Sequence, residues 1–327
     1  MNTIQLANGY FPKTVVRWSL GDPPGRIAPG EGVVAFTATG LSRALAHGVF
    51  ALGFHEAMRS ADLPRAAQVD VFLPAYRGKA FVSVLNWLVV RHLAAEDAEV
   101  SWFLTKNQGA NSFPALLTRL GWQDVRRSRE SKLYRIAGRP PAETSPPQPR
   151  VFTERLGDST LNFAADYGVF SPTRVDDGTA DLLREALRQP HVPVVADIGV
   201  GYGPVALGVV SNGVADRAVA TDVDCVALWL AGSNAEANGV QLELFCTEDP
   251  EQVENTALTV CNIPTHIDAA SSTIFMRALA RRAIDGQRLL AVVHASLAGR
   301  YTRHLADAGL SARQHPGESH VVLEVSD

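Results

Sequence analysis

The segment Val194–Pro204 reads VVADIGVGYGP and decides how the rest of the chain is interpreted. The apolar run VVADI is typical of a buried parallel strand, here ending at Asp197. Glycines follow at every second position, at Gly199, Gly201 and Gly203, and a helix-forming run comes next. Glycine lets the backbone approach a ligand closely, and a helix start offers unpaired N–H groups. The pattern predicts a nucleotide-type loop, with a tight ligand-free turn as the alternative.

The spacing D-x-G-x-G-x-G separates this loop from two other nucleotide loops. The dinucleotide fingerprint has its glycines in another register, and a P-loop needs a G-K-[S/T] that does not follow here. The spacing resembles motif I of class I S-adenosylmethionine (SAM) methyltransferases. In that family the loop lies under the methionine part of SAM, and the acid at the strand end is part of the pocket. The resemblance implies SAM as cofactor, bound at Asp197, Gly199, Gly201 and Gly203.

Length and composition indicate a globular chain with room for two domains. It has 327 residues, of which 46% are hydrophobic and 20% charged. No apolar run reaches the ~18–20 residues of a membrane span, and the first residues lack the regions of a signal peptide. We therefore expect a cytoplasmic protein with no membrane partner. The cysteines Cys225, Cys246 and Cys261 lack C-x-x-C spacing, so we expect buried thiols, with no metal and no disulfide.

A proline-rich segment, Gly138–Arg150, predicts the domain boundary. It reads GRPPAETSPPQPR and is typical of an extended linker. We expect a first domain at residues 1–137, a linker at 138–150 and a catalytic domain at 151–327. Residues 1–150 carry 18 basic and 11 acidic side chains, whereas residues 151–327 carry 12 and 23. A basic half next to an acidic half suggests that the first domain meets a polyanion.

The first domain alternates predicted strands and helices, which favours an α/β layer with a parallel sheet. Residues 1–30 read as irregular. The predicted strands are Gly32–Phe36, Val69–Leu73, Glu99–Leu104, Trp122–Arg126 and Lys132–Ile136, and the predicted helices are Leu41–Ala57, Gly78–Leu93 and Asn111–Leu120. This half contains no D-x-G-x-G-x-G loop, so a SAM site here would lack the loop that lies under the cofactor.

Basic residues cluster on the last two strands of the first domain. The candidates for phosphate contact are Arg126, Arg127, Arg129 and Lys132. A solvated sheet edge that charge protects from aggregation is the alternative interpretation.

The second domain continues from the glycine loop as further strand–helix units. Asp222 ends the next strand about 20 residues on, where such folds place a carboxylate for ribose hydroxyls; a helix cap is the alternative. Glu248 and Asp249 follow the third strand, where an acid of the pair would accept from the adenine amino group or simply be solvated. Seven strands are expected from Val194 onward, the last two forming an antiparallel hairpin.

Three motifs together resemble the two-domain ribosomal-RNA guanine-N2 methyltransferases of the RsmC/RlmG type. The motifs are GVFSPTRVDDGT (Gly168–Thr179), DIGVGYGP (Asp197–Pro204) and NIPTH (Asn262–His266). The resemblance implies two tandem Rossmann-like methyltransferase domains, the first degenerate and RNA-binding, the second a seven-stranded SAM-binding domain. It also implies ribosomal RNA as partner, rRNA processing as the role, and, with two domains in one chain, a monomer.

The resemblance carries residue roles onto the third motif. Asn262, Ile263 and Pro264 correspond to the catalytic N-P-P, in which the Asn262 oxygen and the Ile263 carbonyl would accept the two N–H groups of the guanine amine. Thr265 replaces the family's aromatic residue, which would stack on the base, and His266 matches its histidine, either as a substrate contact or as a packed side chain.

The loop motif supplies two further candidates for the site. Tyr167 and Phe170 are candidates to take over the missing stacking contact, Tyr167 as a substrate residue and Phe170 as one that also borders the cofactor. Because NIPT departs from N-P-P-F/Y, a methyltransferase for a small molecule or a protein side-chain amide is the alternative function. A SAM-fold RNA-binding protein without activity is a third hypothesis.

Overall fold

The computed structural model describes residues 12–21, 27–264 and 269–326. The chain divides into two compact units, residues 1–148 and 149–327. The division falls near the end of the proline-rich segment. Gly138 and Arg139, assigned to the linker from sequence, instead complete a strand, Leu133–Arg139.

The first unit is a seven-stranded α/β sheet. Its strands are β1 (Arg17–Leu20), β2 (Glu31–Ala35), β3 (Phe50–Gly53), β4 (Ala66–Phe72), β5 (Ala94–Leu104), β6 (Gln123–Glu130) and β7 (Leu133–Arg139). Its helices are α1 (Ala38–Ala46), α2 (Phe54–Ala57), α3 (Phe81–Leu88) and α4 (Phe113–Arg119). The strand order is β3-β2-β1-β4-β5-β7-β6. β1 to β5 pair in parallel, and β7 and β6 are antiparallel at one edge.

The second unit repeats this arrangement after a two-stranded hairpin of β8 (Val151–Leu156) and β9 (Ser159–Ala164). The strands of its sheet are β10 (Val192–Ile198), β11 (Ala215–Asp222), β12 (Leu242–Cys246), β13 (Leu258–Asn262), β14 (Arg288–His294), β15 (Arg313–Pro316) and β16 (His320–Val325). The helices are α5 (Asp177–Ala186), α6 (Pro204–Ser211), α7 (Cys225–Asn238), α8 (Ala269–Ile284) and α9 (Ala298–Asp307).

The two sheets share one topology. The second has the order β12-β11-β10-β13-β14-β16-β15, so β10 corresponds to β1 and β13 to β4. Successive strands are added toward one edge of the sheet from β10 to β12 and toward the other edge from β13 onward. In open α/β sheets, ligands bind beyond the carboxyl ends of the strands at such a switch point. The predicted fold class is confirmed, including seven strands in the second sheet with an antiparallel pair at its end.

The first unit contains two strands that the sequence did not predict. β1 lies in the segment expected to be irregular, and β3 lies inside the predicted helix Leu41–Ala57. Both strands have four residues, and three of the four are buried in each. Periodicity fails for such short apolar runs, because a buried strand and a buried helical turn have the same pattern.

No helix within the described ranges is long and apolar enough to cross a bilayer.

Candidate active site

The glycine loop between β10 and α6 bends back over the end of the sheet. Gly199, Gly201 and Gly203 have φ angles of +80°, +57° and +98°, a region that side chains with a Cβ rarely adopt. The N–H groups of Gly199 and Val200 both donate to the carbonyl of Thr221 on β11, each at 2.9 Å. The loop is therefore tied to the neighbouring strand at its first turn.

The glycines differ in what surrounds them. A Cβ added at Gly201 would meet no atom within 4 Å, and one at Gly199 would meet only the carbonyl oxygen of Asn262, at 4.0 Å. A Cβ at Gly203 would lie 2.9 Å from the Leu207 side chain. Gly203 thus serves helix packing, Gly201 borders open space, and Gly199 lies against the end of β13.

Asp197 lies beneath the loop and fixes the helix that follows it. Its side chain is 2% exposed, and its Oδ2 accepts from the Ala206 N–H in the first turn of α6 at 3.0 Å. Burial raises the pKa of Asp197 to about 7, although the bond from Ala206 opposes the shift. The carboxyl therefore organises the loop from below.

Asp222 holds the loop from the side of β11. Its Oδ2 accepts from the Gly201 N–H at 2.8 Å, and its Oδ1 accepts from the Asp224 N–H at 2.9 Å. Burial raises the pKa of this carboxyl to about 6. The N-cap of α7 is Asp224, whose side chain accepts from the Val226 N–H, so the cap considered for Asp222 falls two residues later. A backbone hydrogen bond from Val223 also favours the charged carboxylate.

Glu248 and Asp249 lie beside Asp222, in the exposed loop after β12. The Thr247 N–H donates to the Asp222 carbonyl at 3.2 Å, which fixes the start of this loop. The Asp249 carboxylate accepts from the Glu251 N–H at 2.9 Å and caps a short 3₁₀ turn.

The amide of Asn262 is oriented by a hydrogen-bond relay from α5. Its Nδ2 donates to Thr179 Oγ1 at 3.0 Å, and the Thr179 hydroxyl donates to Asp176 Oδ2. The other Asp176 oxygen accepts from the Thr179 N–H at 3.1 Å as the N-cap of α5. The relay occupies the donor end of the amide, so the position of Oδ1 is fixed as well. Sequence reasoning missed Asp176 and Thr179, although both belong to the D-D-G-T that ends the first motif.

The two residues after Asn262 divide between core and surface. Ile263 is 2% exposed and packs in the hydrophobic core, and its N–H donates to the Val292 carbonyl at 3.1 Å. Pro264 is exposed. The predicted substrate contacts Thr265 and His266 lie outside the described residues.

The aromatic residues of the first motif have opposite environments. Tyr167 is buried, has a φ of +59° and stacks on Trp229 with ring centroids 5.8 Å apart. Burial raises its pKa to about 12. Phe170 is 69% exposed. Of the two, Phe170 has the ring face that a planar ligand can reach.

A buried amide on α7, Asn234, was also missed from sequence. Its Nδ2 donates to the Tyr202 carbonyl of the glycine loop at 2.8 Å, and its Oδ1 accepts from the Ala164 N–H of β9 at 2.6 Å. Asn234 belongs to no recognisable sequence motif. Only the structure therefore shows that its side chain links the glycine loop to the β8–β9 hairpin.

The first unit has a residue that corresponds to Asn262. Leu73 donates from its N–H to the Phe103 carbonyl at 3.0 Å, as Ile263 does to Val292, so Phe72 stands where Asn262 stands. A Cβ at Gly21 would lie 2.7 Å from the Phe72 carbonyl oxygen and 3.0 Å from the Phe36 ring. The backbone at the end of β1 therefore lies close against β4 and the Phe36 ring.

The predicted phosphate contacts lie on the β6–β7 hairpin of the first unit. Arg126 pairs with Glu99 at 2.6 Å, and the Arg127 guanidinium lies 4.8 Å from the centroid of the Tyr134 ring. Arg129 and Lys132 are exposed at the hairpin end. Among the described side chains, no group of three or more His, Cys, Asp or Glu could hold a metal ion.

Comparison with known proteins matches this geometry to a family. Residues 160–302 match the family described as methyltransferase small domain. The match to that family lies within the second unit. This unit has the fold of class I SAM-dependent methyltransferases, as the glycine-loop spacing indicated.

Curated relatives extend the match along the chain. An uncharacterised Bacillus subtilis protein, YbxB, is 36% identical over 118 residues, covering 34% of this chain and 58% of that protein. Ribosomal RNA small subunit methyltransferase C of Hahella chejuensis is 27% identical over 217 residues, covering 62% of this chain and 61% of that protein. The chain therefore matches about three fifths of the length of these two relatives.

A solved structure matches both units in succession. The T. thermophilus 16S rRNA N2 guanine methyltransferase RsmC, in complex with AdoMet and guanosine, has a TM-score of 0.69 and 23% identity. The match covers 99% of this chain and 91% of that one. The tandem two-domain fold expected from the sequence is confirmed.

Proposed function

We propose that this chain is a SAM-dependent N-methyltransferase that acts on the exocyclic N2 amine of a guanine in ribosomal RNA. The observation that carries the proposal is that the glycine loop lies beside the end of β13, where Thr179 orients the Asn262 amide. The related H. chejuensis and T. thermophilus methyltransferases, which act on ribosomal RNA, support the substrate class.

The residues around this space suit SAM. Gly201 leaves room for a ligand against the backbone, since a Cβ there would project into open space, and Gly199 places the backbone close to the end of β13. The Asp222 carboxylate would accept from ribose hydroxyls. Glu248 and Asp249 would accept from the adenine amino group, and Phe170 would cover the ligand from the first motif. Bound SAM supplies a methyl group on a positively charged sulfur.

Asn262 and Ile263 would prepare the acceptor amine. The lone pair of an exocyclic amine is delocalised into the ring, which makes the amine a weak nucleophile. When the Asn262 Oδ1 and the Ile263 carbonyl accept its two N–H bonds, electron density is drawn back to the nitrogen. Pro264 favours an extended backbone at Ile263, which holds that carbonyl in place. Placement and fixed dipoles then supply most of the rate.

The base has to leave its stack to reach this site. We propose that the first unit, residues 1–137, assists by holding RNA through Arg126, Arg127, Arg129 and Lys132, and that residues 138–150 link it to a catalytic domain at 151–327. Tyr167, Thr265 and His266 stay proposed substrate contacts. We further propose that the protein works in the cytoplasm as a monomer.

Methyl transfer tests the proposal. The full chain is incubated with methyl-tritiated SAM and ribosomal RNA, either naked or in small subunits, and the labelled nucleoside is identified. We expect N2-methylguanosine from the wild type and a loss of at least about 100-fold in Asn262→Ala, because an aligned acceptor is removed. Asn162→Ala, at an exposed asparagine of the β8–β9 hairpin, is the matched control and should stay active.

A protein substrate is the second candidate. A 71-residue segment is 39% identical to ribosomal protein L11 methyltransferase of Actinobacillus pleuropneumoniae, covering 21% of this chain and 24% of that protein. The absence of an aromatic residue after Pro264 in the NIPT motif also favours it. Label in ribosomal protein, with none in RNA, would establish this candidate and refute the first.

A further inference from the structure

Two thiols meet at the edge of the proposed cofactor pocket. Cys225 is the first residue of α7, Cys246 is the last residue of β12, and their Sγ atoms are 2.6 Å apart. No disulfide joins them. The sequence predicted buried thiols with no disulfide, and 20 intervening residues gave no sign of a pair. Parallel pairing of β11 and β12 brings them together, since it places Cys246 opposite Asp222.

The pair connects the two segments that carry the proposed adenosine contacts. Cys225 follows Asp222 by three residues, and Glu248 follows Cys246 by two. The Thr247 N–H donates to the Asp222 carbonyl, so the segments already touch beside the sulfurs. A bond between the sulfurs would tie the start of α7 to the end of β12 and restrict the movement of both segments.

We propose that Cys225 and Cys246 form an oxidation site whose disulfide opposes cofactor binding. The oxidation itself is independent of the proposed function, whereas its effect on the cofactor rests on that function. A disulfide bond is about 2.03–2.05 Å long, so the sulfurs are close enough to join with little backbone movement.

The oxidant is hydrogen peroxide, and solvent exposure indicates the order of the two steps. Cys225 is fully buried, whereas Cys246 is partly exposed and is the residue that the peroxide reaches. The Cys246 thiol loses its proton, the thiolate attacks one peroxide oxygen, the O–O bond breaks, and the departing hydroxide takes up that proton to form water. The product is a sulfenic acid.

Cys225 then resolves the sulfenic acid. Its sulfur attacks the Cys246 sulfur, the S–S bond forms, the S–O bond breaks, and hydroxide leaves with the Cys225 proton as a second water. Two thiols and one peroxide thus give one disulfide and two waters. A dithiol reductant reverses the reaction by exchange.

Mass spectrometry of the full chain treated with hydrogen peroxide tests the bond. Wild type should lose about 2 Da and keep one alkylatable thiol after denaturation, that of Cys261. Cys225→Ser should instead gain about 16 Da, as a sulfenic acid that dimedone traps, and Cys246→Ser should resist oxidation. Cys261→Ser is the control and should oxidise as wild type does. Three alkylatable thiols in peroxide-treated wild type would overturn the proposal.

Calorimetry tests the coupling to the cofactor. Oxidised wild type should bind SAM at least about fivefold more weakly than reduced protein, and by linkage SAM should slow disulfide formation. Dithiothreitol should restore binding. After peroxide treatment, the SAM affinity of Cys225→Ser should be closer to that of reduced wild type than the affinity of oxidised wild type is. Equal affinities of the oxidised and reduced wild type would refute the coupling. If reduced wild type binds no SAM, the proposed function fails, while the mass measurement still decides the disulfide.

Discussion

At the scale of single residues, the site depends on polar side chains whose hydrogen bonds are committed to the protein. Asn262 donates to Thr179, Asp222 accepts from Gly201, and Asp197 accepts from Ala206. These bonds fix the Asn262 amide and the glycine loop in place within the protein. Orientation before the ligand arrives is what a reaction limited by alignment requires.

Removing the hydroxyl that orients Asn262 should slow catalysis without weakening cofactor binding. In Thr179→Val the amide keeps its place on β13 but loses its acceptor, so it samples the flipped orientation. We expect kcat to fall about 10- to 100-fold, with the KM for SAM nearly unchanged. Steady-state methyl transfer measures both constants.

The matched variant is Thr179→Ser, which keeps the hydroxyl. It should recover most of the wild-type kcat. Equal losses in the serine and valine variants would show that Thr179 acts through packing against its neighbours and not through the relay.

Asp197 should make stability depend on pH. Its pKa is about 7 in the folded protein against an ordinary value of 3.8, so the folded state holds the proton more tightly. Its contribution is fully present below about pH 4 and is lost as pH rises through about 7. The free energy of unfolding of wild type should therefore fall relative to Asp197→Asn by about 2–4 kcal/mol between pH 4 and 8.

Urea denaturation of both proteins across that range provides the measurement. Asn keeps an oxygen for the Ala206 N–H, so the variant preserves the helix contact. A difference in unfolding free energy that stays constant with pH would contradict the raised pKa of Asp197.

At the scale of elements, α8 holds the segment that follows the proposed adenine loop. The buried guanidinium of Arg282 donates to Thr259 Oγ1 and to the carbonyls of Pro250, Val253 and Glu254, at 3.0–3.3 Å. One side chain thus satisfies three backbone acceptors that lie between β12 and β13.

Arg282→Met should destabilise the protein, because these acceptors lose their donor while the volume stays filled. We expect about 3–5 kcal/mol of lost unfolding free energy in chemical denaturation. The adjacent Arg281→Met is the control. Arg281 is exposed and pairs only at the surface with Glu251, so its loss should cost at most about 1 kcal/mol. Similar losses in both variants would refute the anchoring role.

Sequence predicted the elements of the second unit better than those of the first. The strand before Gly199 was predictable because its apolar run ends at a glycine loop. The glycines of this loop have positive φ angles, which residues with a Cβ rarely adopt. β1 and β3 were not predictable, since four-residue buried strands have no readable period. The relay to Asn262 and the Cys225–Cys246 pair depend on which strands pair, and spacing alone does not encode pairing.

At the scale of the whole molecule, one topology occurs twice with different surroundings at the same place. A Cβ at Gly21, after β1, would lie 2.7 Å from the Phe72 carbonyl oxygen, whereas one at Gly199, after β10, would lie 4.0 Å from the Asn262 carbonyl oxygen. The backbone after β1 therefore packs more tightly against its neighbouring strand than the backbone after β10.

The proposed RNA contact of the first unit predicts a salt-dependent effect. Arg129→Gln combined with Lys132→Gln removes two exposed charges, so binding to ribosomal RNA should weaken roughly tenfold near physiological salt. The slope of log affinity against log salt should fall by about 1.5. Filter binding at several salt concentrations measures both quantities.

An equal charge change at the other edge of the same sheet is the control. Arg43→Gln with Arg59→Gln alters exposed residues near β3 and should leave affinity and slope close to wild type. If both pairs weaken binding alike, net charge and not the β6–β7 hairpin attracts the RNA.

The most direct test of the SAM site is a calorimetric titration of the full chain with SAM. Wild type should bind one SAM per chain. In Gly199→Ala the added Cβ would lie 4.0 Å from the Asn262 carbonyl oxygen, at the end of β13. This variant should bind SAM at least about tenfold more weakly. Gly213→Ala has similar backbone strain, with φ of +73° against +80°, and should bind like wild type. No heat with wild type, or equal affinity in Gly199→Ala and Gly213→Ala, would contradict a SAM site at this loop.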